Sequence, residues 1–468
     1  MTPGTGSTAE HVGGPGRQPG NSSGGVGRDT ILTLGSRLLL TAVIIGADVI
    51  LARALGPDGK GAFYLLVLFP SLVALAVGMG LDRSLAIVVA RSREAARSGF
   101  ANVVLWTLVV GGLATIVSVA LFGPGTLSGP LRSVLPGISD SQFLLGALTI
   151  PGELFFGVGL LGLVGRRRIV SYNAVRLLRR GLLLLLTATV VASMGLSLEG
   201  ALALNLITLV VTVLAIVLAV RRDGSLGLRP DLALLREQLR FGSRTVLGAL
   251  AERLSYRVDA FLVNLLIGVS ATGVYSVAAG LAEVLWYLPN ALGLVLFSRA
   301  VIPGTDSTAL ASTMTRLVVT LGIILALPLA VVAPALVEWA YGQAFAGAGE
   351  TLRLLLPGVV AYGVVSVLTH FVIAAGSPGV YTWLVGTGLV LNIGANLVAI
   401  PLAGIAGAAI ASSISYSVTA VLTLIVFRRI SGRGFAETLI VRRGDVRLVV
   451  SSLRAVAARE TLPRPPDG

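Results

Sequence analysis

Long apolar stretches recur along this sequence from Ile31 to Phe427, and they constrain its fold more than any other feature. A helix that crosses the hydrocarbon core of a membrane, roughly 30 Å thick, needs about 20 consecutive apolar residues. Hydrophobic residues make up 55% of the chain and charged residues only 12%, so most of the chain belongs in a membrane. We therefore predict an all-α polytopic membrane protein with about twelve transmembrane helices. The predicted spans are 30–53, 62–90, 100–122, 142–165, 172–194, 198–220, 241–266, 274–300, 315–340, 352–375, 380–401 and 403–427.

The polar residues exclude several classes of protein. The net charge of +14 could suggest a nucleic-acid partner, but the basic residues lie in short segments between apolar stretches, so no nucleic acid is expected. The chain has no cysteine and only two histidines, His11 and His370, which argues against disulfides, thiol catalysis and histidine-rich metal sites. We expect no cofactor, no metal site and no catalytic residues, so the protein is not predicted to be an enzyme.

The distribution of basic residues between loops predicts the orientation, because cytoplasmic loops of membrane proteins carry more Arg and Lys. The even-numbered loops hold sixteen basic residues and the odd-numbered loops hold four. The sixteen are Arg91, Arg93, Arg97, Arg166, Arg167, Arg168, Arg176, Arg179, Arg180, Arg221, Arg222, Arg229, Arg236, Arg240, Arg299 and Arg316, and the four are Arg53, Lys60, Arg132 and Arg353. Both termini of this multi-pass protein are therefore predicted to be cytoplasmic.

Several blocks of residues recur in the second half of the chain in the same order. Gly35-Ser36-Arg37 recurs as Gly242-Ser243-Arg244, at an offset of 207 residues. The run 56–61, which begins and ends with glycine, recurs as 268–273 at an offset of 212 residues. We interpret these blocks as an internal duplication of six helices. Because six is an even number, both copies enter the membrane from the same side, and such transporters bind substrate at the repeat interface near the bilayer midplane.

The repeat and the tail compositions predict the domain organisation. We expect a disordered cytoplasmic tail at 1–28, a first six-helix bundle at 29–222, a cytoplasmic linker at 223–240, a second bundle at 241–429 and a basic cytoplasmic tail at 430–468. Apolar residues at helical spacing in the basic tail favour an amphipathic helix on anionic membrane lipids. Docking to glycan-synthesis enzymes is the alternative role for this tail.

Three segments resemble a known family. They read ARALGPDGKGAFYLLVLFPSLVALAVGMGL from Ala52, FGSRTVLGALAERLSYRVDAFLVNLLIGVSATGVYSVAAGLAEVLWYLP from Phe241 and LNIGANLVAIPLAGIAGAAIASSISYSV from Leu391. Their Gly, Pro and aromatic spacing is similar to that of polysaccharide-type flippases of the multidrug/oligosaccharidyl-lipid/polysaccharide exporter superfamily. The resemblance implies two six-helix bundles around a central cavity. It also implies movement of a lipid-linked oligosaccharide or polysaccharide precursor across the bacterial cytoplasmic membrane by alternating access.

Three other functions remain open at this point. Lipid II flippases and drug antiporters belong to the same superfamily, although the first span lacks the closely spaced Arg-Asp arrangement associated with lipid II flippases. A drug antiporter would move amphiphilic cations and need fewer arginines in its cavity. A membrane scaffold that recruits glycan enzymes without transporting anything is the alternative from another class. It would show a cavity closed at both ends or bundles without polar walls.

The seventh span contains the densest group of charges at membrane depth, where each charged side chain is a candidate for function. Glu252, Arg253, Arg257 and Asp259 lie within eight positions. In a continuous helix, Glu252 and Asp259 would share one stripe, and Arg253 and Arg257 a flanking one. We predict that they line the central cavity, with the arginines binding a diphosphate. The structural alternative is an ion pair between Arg257 and Glu283.

Further charged residues complete the candidate site. Arg37 and Arg244 occupy equivalent repeat positions and could bind substrate at the cavity mouth, or instead extend to the interface as anchors. The candidates for carrying a coupling proton or sodium ion are Asp48, Glu153, Glu252, Asp259 and Glu283. His370 lies among apolar neighbours, where a packed and hydrogen-bonded role is the simpler expectation.

Overall fold

The computed structural model describes residues 23–123, 135–227, 229–300, 306–442 and 444–445, with side chains from residue 40 onwards except at 244–245, 288, 294–295, 297–300 and 378. All regular elements in these ranges are helical, and no strand occurs among them. Leu40–Asp445 form one compact unit, and every contact described below lies within it. A second unit comprises Met1–Leu39 and Val446–Gly468, of which the structure describes only helical backbone from Ser23 onwards.

The helices follow the apolar stretches closely. They are α1 (Ser23–Val77), α2 (Leu81–Arg91), α3 (Arg93–Trp106), α4 (Gly112–Phe122), α5 (Asp140–Ala147), α6 (Ile150–Gly165), α7 (Ile169–Met194), α8 (Leu198–Arg222), α9 (Leu232–Ser255), α10 (Val258–Leu266), α11 (Val269–Glu283), α12 (Tyr287–Ala300), α13 (Ser307–Tyr341), α14 (Gly347–Ala374), α15 (Pro378–Ser431) and α16 (Phe435–Leu439). A π-helical turn joins α3 to α4, and 3₁₀ turns join α11 to α12 and precede α14.

The long helices α1 and α15 each contain a reversal of the chain. Gly56 in α1 has φ 64°, a conformation that favours glycine. In a straight helix Asp48 and Lys60 would lie about 18 Å apart, but their side chains form an ion pair. In α15, Asn392 Nδ2 donates a hydrogen bond to Ser412 Oγ over 3.2 Å, although twenty residues separate them. Each of these helices therefore folds back into two antiparallel helices, as the predicted pairs of spans require.

Nine segments of the described chain are long and apolar enough to cross a membrane. Two of these segments lie in the reversing helices α1 and α15, so together the segments account for eleven of the twelve predicted spans. The seventh predicted span is not among them. The all-α polytopic fold is confirmed, whereas the count of twelve and the domain boundaries stay predictions.

The seventh span is not the continuous helix that we predicted. Helix α9 ends at Ser255, α10 begins at Val258, and Arg257 between them has φ −137° and ψ −20°. The break rotates α10 relative to α9, so the predicted stripe that joins Glu252 to Asp259 is wrong. The two carboxylates instead face different neighbours.

Several basic residues that we assigned to loops lie inside helices. Arg176, Arg179 and Arg180 belong to α7, which begins at Ile169, and Arg316 belongs to α13. The hydropathy pattern places a span boundary wherever charges occur, whereas the backbone continues as a helix through them. Only Arg166, Arg167, Arg168 and Arg229 of the sixteen lie outside the helices. The cytoplasmic orientation stays a prediction.

The segment after α15 packs against the beginning of α13. Arg316 makes two hydrogen bonds to the Asp445 carboxylate, at 2.6 and 2.8 Å, and both side chains are 7% exposed. Arg433 also contacts Asp306 and Thr308. The chain up to Asp445 is therefore fixed to the second half of the protein. The predicted amphipathic helix in the basic tail lies outside the described residues.

Candidate functional site

A cavity of about 330 Å³ lies between the two halves of the chain. Helices α1, α2 and α6 of the first half line it on one side and α9 lines it on the other. Its lining residues are Ser71, Ala74, Leu75, Gly78, Asp82, Arg83, Glu153, Leu154, Phe156, Gly157, Val158, Ala249, Arg253 and Tyr256. The cavity walls are partly polar, as a transport pathway requires and as the scaffold alternative does not predict.

A second pocket of about 150 Å³ adjoins this cavity and extends into the second half of the chain. Arg253 and Tyr256 line both spaces, so the two form one continuous region, which we call the central cavity. The remaining lining residues of the second pocket are Glu252, Arg257, Glu283, Trp286, Tyr287, Asn290, Tyr362 and Ser366. The predicted charges of the seventh span, apart from Asp259, therefore do line the cavity.

Arg257 is held by fixed partners. Its guanidinium lies 2.7 Å from Glu283 and donates to the Tyr64 hydroxyl over 2.6 Å. The ion pair that we gave as the structural alternative is therefore present. Because Tyr64 belongs to α1, Arg257 also joins the second half of the chain to the first. Only its buried Nε has no hydrogen-bond partner in the described part of the protein.

Arg253 has a different environment, although it lies only four residues earlier. Its guanidinium lies 5.7 Å from the centre of the Tyr256 ring, and no carboxylate among the described residues lies within ion-pair distance. Arg83 of α2 lines the same cavity and also has no such partner among the described side chains. Arg83 was not among the predicted site residues, although a charged residue inside a predicted span, here 62–90, is a candidate for function.

The acidic residue at the break between α9 and α10, Asp259, is the most buried of the candidate carboxylates. It is 4% exposed and accepts hydrogen bonds from Tyr275 Oη at 2.5 Å, Ser412 Oγ at 3.1 Å and the backbone amide of Ala260 at 2.8 Å. All three donors are neutral, and no cationic side chain of the described chain lies within ion-pair distance. Asp259 therefore accepts hydrogen bonds from neutral groups only and forms no ion pair with a described side chain.

The other candidate carboxylates have partners of their own. Glu252 accepts a hydrogen bond from Tyr381 over 2.6 Å. Glu153 forms a two-point ion pair with Arg179 of α7, and both side chains are largely buried.

Asp48 pairs with Lys60 and accepts a hydrogen bond from Tyr341 of α13. These contacts place Asp48 away from the charges of the central cavity. The structure therefore does not bring all of the ion-coupling candidates together.

Three further candidates are Arg37, Arg244 and His370. The backbones of Arg37 and Arg244 are in α1 and α9, but their side chains lie outside the described part of the structure. The Nδ1 atom of His370 lies 2.7 Å from the carbonyl oxygen of Ser366 in the same helix. Its environment is that of a packed, hydrogen-bonded residue.

The two halves approach each other closely at a pair of glycines, Gly61 and Gly273, and again at Gly80 and Gly242. Gly61 and Gly273 occupy equivalent positions in the repeated blocks 56–61 and 268–273. A Cβ on Gly61 would lie 2.0 Å from the Val269 carbonyl oxygen, and one on Gly273 would lie 2.0 Å from the Pro57 carbonyl oxygen. The reciprocal contact is the one expected where a two-fold axis passes between repeats.

The sequence was compared with protein families and with solved structures. Residues 26–304 match the family described as polysaccharide biosynthesis protein. This chain belongs to that family. No curated protein matches the sequence significantly.

Two kinds of solved structure share the fold of this family member. An inward-facing multidrug resistance MATE family transporter of the MOP superfamily matches with a TM-score of 0.67 and 20% identity, over 84% of this chain and 94% of that one. The lipid II flippase MurJ in an inward closed conformation matches with a TM-score of 0.73 and 12% identity, over 93% of this chain and 94% of that one. At these identities the matches establish the fold alone.

Proposed function

We propose that this protein moves a lipid-linked oligosaccharide or polysaccharide precursor across the bacterial cytoplasmic membrane by alternating access. The observation that supports this most directly is the environment of Arg253. This arginine lies where the two parts of the central cavity meet and has no carboxylate partner in the described chain. The family membership and the transporter fold are consistent with this function.

An unpaired guanidinium inside a membrane domain is costly unless water or an anion compensates it. Its planar fork matches the oxygens of a phosphate, so a diphosphate between lipid and glycan is a suitable ligand for Arg253 and Arg83. A carrier of amphiphilic cations would instead need carboxylates that are free to bind its cargo. Of the four carboxylates that line the cavity, Glu153 and Glu283 are paired with arginines, whereas Asp82 and Glu252 have no ion pair among the described residues.

The environments of the carboxylates select a candidate for ion coupling. A buried carboxylate with only neutral donors can take up a proton, or a sodium ion whose ligands would be oxygen atoms. Asp48, Glu153 and Glu283 each have a cationic partner. Glu252 and Asp259 have neutral donors only, and of these two Asp259 is the buried one. We therefore propose Asp259 as the residue that couples transport to an ion gradient.

The remaining expectations about partners and orientation are also part of this proposal. We expect both termini in the cytoplasm and the basic tail in contact with anionic membrane lipids. Glycan-synthesis enzymes are the alternative partners for the tail.

The experiment that tests the proposal is transport of a fluorescent polyprenyl-diphosphate glycan in reconstituted vesicles. Arg253→Ala removes a charge-assisted contact worth about 1.5 to 3 kcal/mol, so we expect a loss of roughly ten- to a hundredfold in apparent affinity. Arg253→Lys should restore only part of it, because lysine keeps the charge but lacks the fork. Arg221→Ala, at the exposed end of α8, is the matched control.

The outcome that contradicts the proposal is equally specific. If a well-folded Arg253→Ala protein transports the glycolipid at the wild-type rate, Arg253 does not bind the cargo. If the wild-type vesicles move an amphiphilic cation but not the glycolipid, the protein is a drug antiporter.

A further inference from the structure

The second pocket of the central cavity has an aromatic wall. Tyr256, Trp286 and Tyr362 line this pocket, and the centres of their rings lie 5.2 to 6.2 Å apart. The indole nitrogen of Trp286 donates a hydrogen bond to the Val359 carbonyl oxygen, which fixes the position of that ring. The wall is therefore a rigid surface on which the apolar face of a ligand can pack.

Helix α12 adds two side chains with free polar groups to the same pocket. Tyr287 and Asn290 lie at positions i and i+3, so they share one face of the helix. Both are exposed and both line the pocket, and no hydrogen bond involves either side chain in the described part of the chain. The Tyr287 ring and the Asn290 amide are therefore available to a ligand.

The charges of the second pocket leave one carboxylate without a cation. Arg257 and Glu283 pair with each other over 2.7 Å. Glu252 accepts a hydrogen bond from Tyr381 at Oε2, whereas its Oε1 has no hydrogen-bond partner among the described residues. Arg253 lies where the two parts of the central cavity meet, which is the position proposed for the diphosphate. Beyond Arg253, the unpaired charge of the pocket is therefore negative.

A sugar ring matches this combination of groups. Pockets for drug-sized ligands have volumes of about 300 to 1,000 Å³, so a pocket of about 150 Å³ has room for one ring of a larger substrate. The C–H groups of a sugar ring can pack on an aromatic surface, and its hydroxyls both donate and accept hydrogen bonds. Such hydroxyls can donate to Glu252 and bind the Asn290 amide. A carboxylate on the sugar could not donate to Glu252 and would be repelled by it.

We propose that the second pocket binds the sugar residue attached to the diphosphate and selects an uncharged sugar at that position. Because Arg253 and Tyr256 line both parts of the central cavity, a sugar joined to a diphosphate at Arg253 reaches the second pocket directly. Specificity for the first sugar would then depend on Glu252, Tyr287 and Asn290. This inference rests on the proposed function, and the experiment below separates the two.

The test measures the binding of three lipids to the full-length protein in nanodiscs. They are farnesyl diphosphate and its two derivatives that carry a single glucose or a single glucuronate. Glu252→Gln removes the charge but keeps an acceptor for Tyr381, and Tyr287→Ala removes the exposed ring. The matched controls are Glu350→Gln and Trp339→Ala, which change an exposed carboxylate and an exposed ring that line neither part of the cavity. The melting temperature of each variant is measured as well.

The gain from a sugar is the ratio of the affinities for the lipid with the sugar and for farnesyl diphosphate alone. In the wild type we expect a gain of about tenfold or more for glucose and none for glucuronate, since one hydrogen bond to a charged group has an effect of that size. Glu252→Gln should remove most of the gain for glucose and the discrimination against glucuronate. Tyr287→Ala should lower the gain for glucose by about two- to tenfold. Both controls should behave as the wild type.

Several results would overturn the inference. In the wild type, these are equal affinities for farnesyl diphosphate and its glucose derivative, or for the glucose and glucuronate derivatives. Displacement of the glucose lipid by tetraphenylphosphonium in the wild type but not in Glu252→Gln would assign the pocket to a cationic cargo. If Tyr287→Ala does not fold, the nearly isosteric Glu252→Gln decides by itself. The proposed function fails separately, if farnesyl diphosphate does not bind or if Arg253→Ala does not weaken its binding.

Discussion

The contact between Gly61 and Gly273 provides the sharpest test of how the two halves move. Replacing Gly273 with alanine would place its Cβ 2.0 Å from the Pro57 carbonyl oxygen, 2.9 Å from the Pro57 carbonyl carbon and 3.0 Å from the Gly61 nitrogen. Backbone atoms cannot yield as a flexible side chain does, so α1 and α11 must separate by about 1 Å or more to restore ordinary contact. Overpacking of this kind costs about 1 to 3 kcal/mol.

If the two halves separate at this contact during alternating access, the cost acts on the state in which the glycines touch. The equilibrium between closed and open states should therefore shift towards the open state by roughly fivefold to more than a hundredfold. A Gly280→Ala variant is the matched control, since Gly280 lies in the same helix and its added Cβ would have no atom within 4 Å.

Distance measurements between spin labels can detect the shift, and the chain has no native cysteine to interfere with labelling. Labels at Asp58→Cys and Ser270→Cys, both exposed, report on the distance between the halves near this contact. We expect one short-distance population in the wild-type and Gly280→Ala proteins and an additional longer one in Gly273→Ala. An unchanged distribution in Gly273→Ala would show that the glycine contact does not govern closure.

The remaining predictions concern coupling, the C-terminal segment and topology. Asp259→Asn should keep glycolipid binding but lose the response to an imposed proton or sodium gradient, and a normal response in vesicles would exclude it as the coupling residue. Arg316→Ala leaves the Asp445 carboxylate without its ion-pair partner, at a cost of about 3 to 5 kcal/mol. Limited proteolysis should then cut the segment after α15 faster than in the wild type, and an unchanged cleavage rate would contradict this prediction. The guanidinium of Arg316 lowers the pKa of Asp445. The contact of the segment after α15 with α13 should therefore have its full strength above the ordinary aspartate pKa and weaken as the pH falls through the lowered value. A reporter fused after Gly224 should be cytoplasmic and one after Ser270 external, and finding both on one side would refute the predicted orientation.

The environment of charged residues shows where prediction from sequence stops. Arg253 and Arg257 occupy adjacent turns in the same apolar context, so the pattern marks both as candidates without distinguishing them. Arg257 binds Glu283 and Tyr64, which lie far from it in the chain, whereas Arg253 has no such partner among the described residues. Only the folded arrangement separates an arginine in an ion pair from one without a carboxylate partner.

The arginines of α7 were misplaced for a related reason. The orientation count assigned Arg176, Arg179 and Arg180 to the fourth loop, although the predicted fifth span, 172–194, contains them. In the structure α7 begins at Ile169 and continues through them, and Arg179 pairs with the cavity-lining Glu153. Local composition carries no information about which face of a helix meets water.

The sequence by itself determined that this protein is an all-helical membrane protein and where most of its spans lie. It could do so because lipid offers no hydrogen-bond partners. Each crossing must therefore be a long apolar helix, and such helices can be recognised in the sequence. The gap between the first two predicted spans, 30–53 and 62–90, contains Gly56, at which α1 reverses. The tertiary structure alone decided the break between α9 and α10, the pairing of Glu153 with Arg179 and the isolation of Asp259. These features depend on contacts between segments that are distant in the sequence, and a local sequence pattern does not predict such contacts.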